Sequence, residues 1–445
     1  MIRSMPMMKV VVALALLGVA LAANADMAQH AERSRTAGID LVAYHTEVRD
    51  VVDVVGYLPA GDAMAGTGNA ALPTLMGMML DRGTRTQDRF SIARQLEEVG
   101  AEISFNVGVQ ALQFQGRCLK KDLPLVLSLL ASELRSPAFL PAEFAKARQQ
   151  YIGMLENSRH STEARARESL QRALFPPGHP NRRATIEELL TAAKSASLKD
   201  LQAFHAKYYG PEHMTMVLVG DVTLSSAADE VGKDFAGWSG GQDFLRPAVA
   251  AGVEAPKGDI LVPLAEKTSV SVLLGQRTLL RYRDPDALAL RVGTAIAGHG
   301  FTGRLMSNVR DRLGLTYDIG AGVADDSLAD GMWFMDASFA PKLLEQGIAA
   351  SRGTLQAWWQ DGVTEKELAD TKQGLAGGYY VGLATNRGLA TAIVNALQRG
   401  YDLAWLDAYP RALQALTRDQ VNAAIHHHLN PATMVLVEAG SLPVR

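Results

Sequence analysis

A chain of 445 residues with 48% hydrophobic content holds enough apolar mass for more than one core, and its net charge of -3 excludes a broad basic surface for nucleic acid. The single cysteine, Cys118, excludes an intrachain disulfide. In "FQGRCLKKDL" it closes a strand-like run, where a packed thiol is expected rather than a nucleophile.

At the N-terminus, residues 1–25 place Arg3 and Lys9 before an apolar run that ends on Ala23-Asn24-Ala25, the order of a cleaved secretory signal. The apolar run is shorter than the roughly 20 residues a spanning helix needs. The expectation is therefore export to the periplasm, cleavage before Asp26 and no membrane attachment afterwards. Loss of the two basic residues takes the formal charge from -3 to -5.

Next, "LPTLMGMMLDRGTRT" (72–86) reads as an apolar helix entering a Gly-Thr turn, with core packing as its plain role. "FSIARQLEEVGAEISFNVGV" follows as a helix carrying Arg94, a stop at Gly100 and an alternating strand. "YIGMLENSRH" continues helical, and Glu156 within it is expected on a solvated face.

Two distant segments then repeat. "SLKDLQAFHAKYYGPEHMTMVLVGD" from Ser197 and "TRDQVNAAIHHHLNPATMVLVEAGS" from Thr417 align at a constant offset of 220, pairing Pro211 with Pro431 and Gly220 with Gly440. Each copy has a Ser or Thr N-cap, an amphipathic helix, a Pro turn and an apolar strand. A second pair aligns Arg94 with Arg310 at an offset of 216, before "GLTYDIGAGV". The fold class is thus α+β: two homologous halves, 35–240 and 258–445, each a mainly antiparallel sheet packed with helices. The Gly-, Ala- and Pro-rich stretch 241–257 reads as the linker between them.

Among the ten histidines, His426, His427 and His428 are adjacent, and successive helical residues turn by about 100°, so they are not expected to converge on one ion. His160 and His299 read as helix-surface and loop residues, and no Gly-x-Ser-x-Gly elbow marks a serine hydrolase.

In order and spacing, "LDRGTRT", "LEEVGAEISF", "GHPNRR", "YYGPEHMTMVLVGDV" and "FTGRLMSNVRDRLGLTYDIGAGV" make the chain resemble the pitrilysin, insulinase and mitochondrial-processing-peptidase family of zinc peptidases. In active members of that family a helical His-x-x-Glu-His supplies two zinc ligands and the base, and a later Glu supplies the third ligand. The resemblance places the His, Glu and His at Thr74, Gly77 and Met78, and the third ligand near Leu155, with Glu156 as the adjacent candidate. A hydroxyl, a hydrogen atom and a thioether do not replace imidazole and carboxylate donors.

What the resemblance retains is an Arg and a following Tyr that lie close to substrate, here Arg310 and Tyr317. Arg310 is expected in the last turn of a helix ending at Gly314, with Leu315, Tyr317 and Ile319 alternating on one strand face. The resemblance implies a zinc-free subunit, with no cofactor of its own, that forms a clam-like heterodimer around a chamber with a homologous zinc-bearing chain and acts on peptides. The alternative is a peptide-binding or scaffold protein of the same fold with no part in proteolysis.

Overall fold

The computed structural model describes residues 27–244 and 259–442. The proposed signal segment 1–25 and most of the linker lie outside the described residues. Among the described residues no helix is long and apolar enough to cross a membrane.

The first sheet has the order β1-β2-β6-β3-β5-β4, with β1 Ala31–Thr36, β2 Ile39–His45, β3 Val51–Leu58, β4 Glu102–Val107, β5 Leu112–Leu119 and β6 Thr215–Gly220. The second has the order β7-β11-β8-β10-β9, with β7 Ile260–Pro263, β8 Val270–Arg277, β9 Thr316–Ala324, β10 Met332–Phe339 and β11 Val435–Gly440. In each sheet one parallel pair, β2 with β6 and β7 with β11, is followed by antiparallel neighbours. Apart from the extra edge strand β1, one sheet repeats the other. The 220-residue offset carries β6 onto β11 residue for residue.

Local chemistry explains this repeat. Ser197 with Asp200 and Thr417 with Gln420 form capping boxes at the starts of the helices Leu198–Tyr208 and Arg418–His428. The strands that follow, β6 and β11, are buried at every position because the sheets are covered on both faces where these strands run.

The covering is reciprocal. In β6, Met216 and Leu218 join the core of the first half, while Val217 and Val219 meet Leu389, Ile393 and Val394 on the helix Asn386–Gln398 of the second. In β11, Val435, Val437 and Ala439 meet Ala166, Leu170 and Leu174 on the helix Thr162–Leu174 of the first half. Each half thus lends a helix to the other's sheet.

Polar contacts lock the exchange. The motif GHPNRR puts His179 Nε2 2.9 Å from Asp330 Oδ1, and Arg277 donates to the other oxygen of Asp330 at 2.8 Å. Burial works to raise the Asp330 carboxyl, but the bonds from His179 and Arg277 outweigh it and hold the group below the usual carboxylate range. Asn181 Nδ2 donates to the carbonyls of Asp325 and Asp330, both at 2.8 Å. On the opposite side Arg387 reaches the buried Asp53 at 2.8 Å. Cys118, on β5, is 3% exposed, and burial pushes its thiol up to about 12, as a packed residue requires.

Candidate functional site

The helix Leu72–Leu80 follows β3 and ends in a turn where Gly83 has φ +102°. Its core face is Pro73, Leu75, Met76, Met79 and Leu80. Thr74, Gly77 and Met78 occupy the other, half-buried face, at the i, i+3, i+4 spacing of one helical stripe. The core-packing reading of the whole segment is corrected to that extent: these three positions still share a semi-open surface. Its chemistry is closed by the chain's own residues. Thr74 Oγ1 donates to Asp62 Oδ1 at 3.3 Å, and Arg183 lies 3.6 Å from the second carboxylate oxygen. Burial raises Asp62 above the usual carboxylate range, against the pull of Arg183 and Thr74. A Cβ on Gly77 would stand 2.4 Å from Val107 Cγ2, so the residue opposite occupies the room a carboxylate would need.

The choice at the third position is also resolved. On the helix Pro141–Arg159, Leu155 turns into the core with 6% exposure. Glu156 turns outward and accepts from Arg159 at 2.9 Å. Thr74, Gly77, Met78 and Leu155 offer no imidazole, thiolate or carboxylate, and so do not fit a zinc ion.

The second half is built differently. In the first half the helix Arg89–Glu98 ends in an α-helical Schellman turn: Gly100, at φ +63°, donates to the Glu97 carbonyl, and Ala101 to that of Leu96. In the second half Gly314 also has φ +63°, but it donates to Arg310 and Leu315 donates to Val309, each bond one residue longer. Met306–Arg312 is a π-helical segment. Superposing the two glycine turns sets the offset at 214, so Arg94 is not the counterpart of Arg310. A wider helical turn here is the kind of irregularity that sites use.

The strand after Gly314 departs from alternation too. Ala337 pairs with Ile319 and Phe339 with Thr316, which leaves Tyr317 and Asp318 opposite Ser338 alone, a β-bulge. The expected shared face of Leu315, Tyr317 and Ile319 is corrected accordingly. Ile319 is 1% exposed and joins the core, whereas the bulge re-aims Tyr317, which is 84% exposed.

Arg310 and Tyr317 do meet. The Arg310 guanidinium carbon lies 5.1 Å from the Tyr317 ring centroid and 5.3 Å from that of Phe301. Phe301 is itself 73% exposed, and nothing in the sequence reading singled it out. Its signal was faint: an aromatic nine residues before an Arg, reached only because a 3-10 turn at Gly300–Thr302 precedes the π segment. Among the described residues Arg310 makes no ion pair, and the one hydrogen bond found for it is a 3.8 Å contact to the Met306 sulfur. A cation between two aromatic faces with its N–H groups left over can fork onto a carbonyl or carboxylate oxygen. Just before the π segment, Arg304 donates to both oxygens of Glu367 at 2.6 and 2.8 Å. A groove of about 600 Å³ lies beside the segment, lined by Arg304, Ser307, Asn308, Arg312 and Thr354, and it does not include Arg310 or Tyr317.

Comparison with known proteins identifies the family. Residues 42–183 match the insulinase (peptidase family M16) model, and residues 195–375 match the peptidase M16 inactive domain. An uncharacterized zinc protease of Mycobacterium tuberculosis is 25% identical over 400 residues, 88% of this chain and 87% of its own length. The non-peptidase homolog YmxG of Helicobacter pylori is 21% identical, over 85% of this chain and 86% of its own. A crystal structure of a peptidase M16 inactive domain from Pseudomonas fluorescens superposes with a TM-score of 0.84 at 25% identity, covering 93% of this chain and 98% of that one. With the two repeated sheets and the matched halves, the chain belongs to the insulinase-like peptidase family M16, and its first-half face offers no zinc ligands at Thr74, Gly77 and Met78.

Proposed function

We propose that this chain is the zinc-free subunit of a heterodimeric zinc peptidase in the periplasm, and that it contributes peptide binding and oxyanion contacts to a homologous chain that carries the metal. The observation that supports the reading is the Arg310 guanidinium held between Phe301 and Tyr317 with no ionic partner among the described residues. In this role Arg310 forks onto a peptide carbonyl or terminal carboxylate, and the Tyr317 hydroxyl donates to the oxygen on which negative charge develops. Neither group generates a nucleophile, so the attacking water belongs to the partner's zinc. The signal-like residues 1–25 support export.

The test is reconstitution with a homologous chain bearing an intact His-x-x-Glu-His. Peptide cleavage is measured for each chain alone and for the mixture, with assembly followed by size-exclusion chromatography. The mixture is expected to cleave and this chain alone is not. Cleavage by the zinc chain that is unchanged by adding this one would defeat the reading and favour the peptide-binding or scaffold role.

A further inference from the structure

Of the three adjacent histidines, His426 turns to Trp359, with ring centroids 4.8 Å apart. His427 and His428 do otherwise. His428 Nε2 lies 2.9 Å and His427 Nδ1 3.7 Å from the same oxygen of Asp286, and the three groups' donor atoms all fall within 4.8 Å of one another. The expectation that neighbours on this helix cannot converge is corrected here. The two residues end the helix Arg418–His428, and Asp286 reaches them from the N-cap of a different helix.

We propose that Asp286, His427 and His428 bind a divalent transition-metal ion of the zinc type, at a stabilising site separate from the Thr74 face. The donor set is two imidazoles and one carboxylate, which suits zinc and its borderline neighbours. Metal–ligand bonds of about 2.0–2.1 Å in tetrahedral geometry separate two donors by about 3.3 Å. For the two pairs with Asp286 the observed 2.9 and 3.7 Å bracket that separation, and since all three donor atoms lie within 4.8 Å of one another, rotation of the exposed His427 side chain is what brings the set onto one ion.

Asp286 is also not used where its position predicts. It stands at the N-cap of the helix Ala287–Gly298, yet its side chain makes no capping bond and points at the imidazoles instead. The two helices cannot drift apart to relax the site. They pack so closely at Gly293 that a Cβ there would lie 2.7 Å from Ile425 Cδ1. His428 is 12% exposed and His427 75%, which leaves one side open for water to fill the remaining coordination positions. The bound ion ties the end of one helix to the start of the other.

The experiment is calorimetric titration of metal-stripped, tag-free full-length protein with zinc chloride, paired with thermal melts with and without zinc. One equivalent of zinc and an upward shift of the melting temperature are expected. H427Q, H428Q and D286N should each weaken binding at least tenfold and abolish the shift, while H426Q leaves both unchanged. Circular dichroism of zinc-free samples establishes that the variants are folded. Wild-type zinc affinity in the triple variant D286N/H427Q/H428Q, or an equal loss in H426Q, overturns the proposal.

Discussion

The half-buried stripe of Thr74, Gly77 and Met78 and the Arg310–Tyr317 pair, the two places that the proposed function sets against zinc and peptide, are built in opposite ways. On the stripe the neighbours of two positions come from within the chain: Thr74 on Asp62, Asp62 near Arg183, Gly77 against Val107. At the pair the chain leaves a cation, a phenol and two aromatic faces facing outward, on a π-helical segment and a β-bulge. Single-turn π irregularities of this kind are frequent at functional sites. Under the proposed function, the contrast separates the half of the chemistry left to a partner from the half this chain contributes.

The comparison can be broken from either side. The largest effect should be purely structural and serves as a control: Asp330→Ala strands His179 and Arg277 in the interior and should cost about 4 kcal/mol in urea unfolding. It should leave the catalytic rate per folded complex unchanged; a rate loss at full folding would mean that the tie between the halves also shapes the site. Next, in the reconstituted complex, Tyr317→Phe should lower turnover about a hundredfold, the roughly 3 kcal/mol of one oxyanion donor. Arg310→Ala should chiefly raise KM, and Arg310→Lys should restore little because an ammonium lacks the planar fork. Wild-type kinetics in both would reduce the pair to surface packing.

On the closed side, Gly77→Glu should destabilise the chain by about 2 kcal/mol through the contact with Val107, and adding Val107→Ala should recover part of it. The triple change Thr74→His, Gly77→Glu, Met78→His should not yield a peptidase, since Leu155 still stands where a third ligand is needed. Zinc-dependent cleavage by that variant would show the stripe to be less closed than its contacts imply.

The smallest effect concerns the anchor of the π segment. Hydrogen bonds from Arg304 hold the Glu367 carboxyl down to about 2, below its ordinary value near 4.5. A carboxylate with a depressed folded-state pKa stabilises the fold above its unfolded pKa, and that contribution disappears as pH falls from about 4.5 towards 2. Because the pair is partly exposed, the contribution should stay under about 1 kcal/mol. Unfolding curves of wild type and Glu367→Gln should therefore differ slightly at pH 7 and coincide near pH 2. A gap that widens in acid would reverse the assignment.

Much of the frame was legible in the residues. The 220-residue repeat, the capping boxes at Ser197 and Thr417 and the buried thiol at Cys118 follow from local rules that the fold obeys. What stayed hidden were breaks in those rules. A period of 3.6 cannot announce a π turn, and a period of 2 cannot announce a bulge, so Tyr317 is expected on the face of Ile319; the match of Arg310 with Arg94 fails for a simpler reason, the 214-residue offset of Gly100 and Gly314. Apolar periodicity also says that the helices Thr162–Leu174 and Asn386–Gln398 have a face to bury, but not that each buries it on the other half's sheet. The convergence of His427 and His428 on Asp286 was missed for a related reason, since the meeting point is set by a second helix far away in sequence.

The exchange of helices between the halves has a mechanical consequence. A hinge needs a boundary crossed by few contacts, whereas here bending the halves apart would drag Leu170 off β11 and Ile393 off β6 at the same time. These contacts tie the two halves into one body. Any vessel it forms with a second chain must admit its contents by parting the two polypeptides, because neither sheet can swing without first losing the helix that seals it.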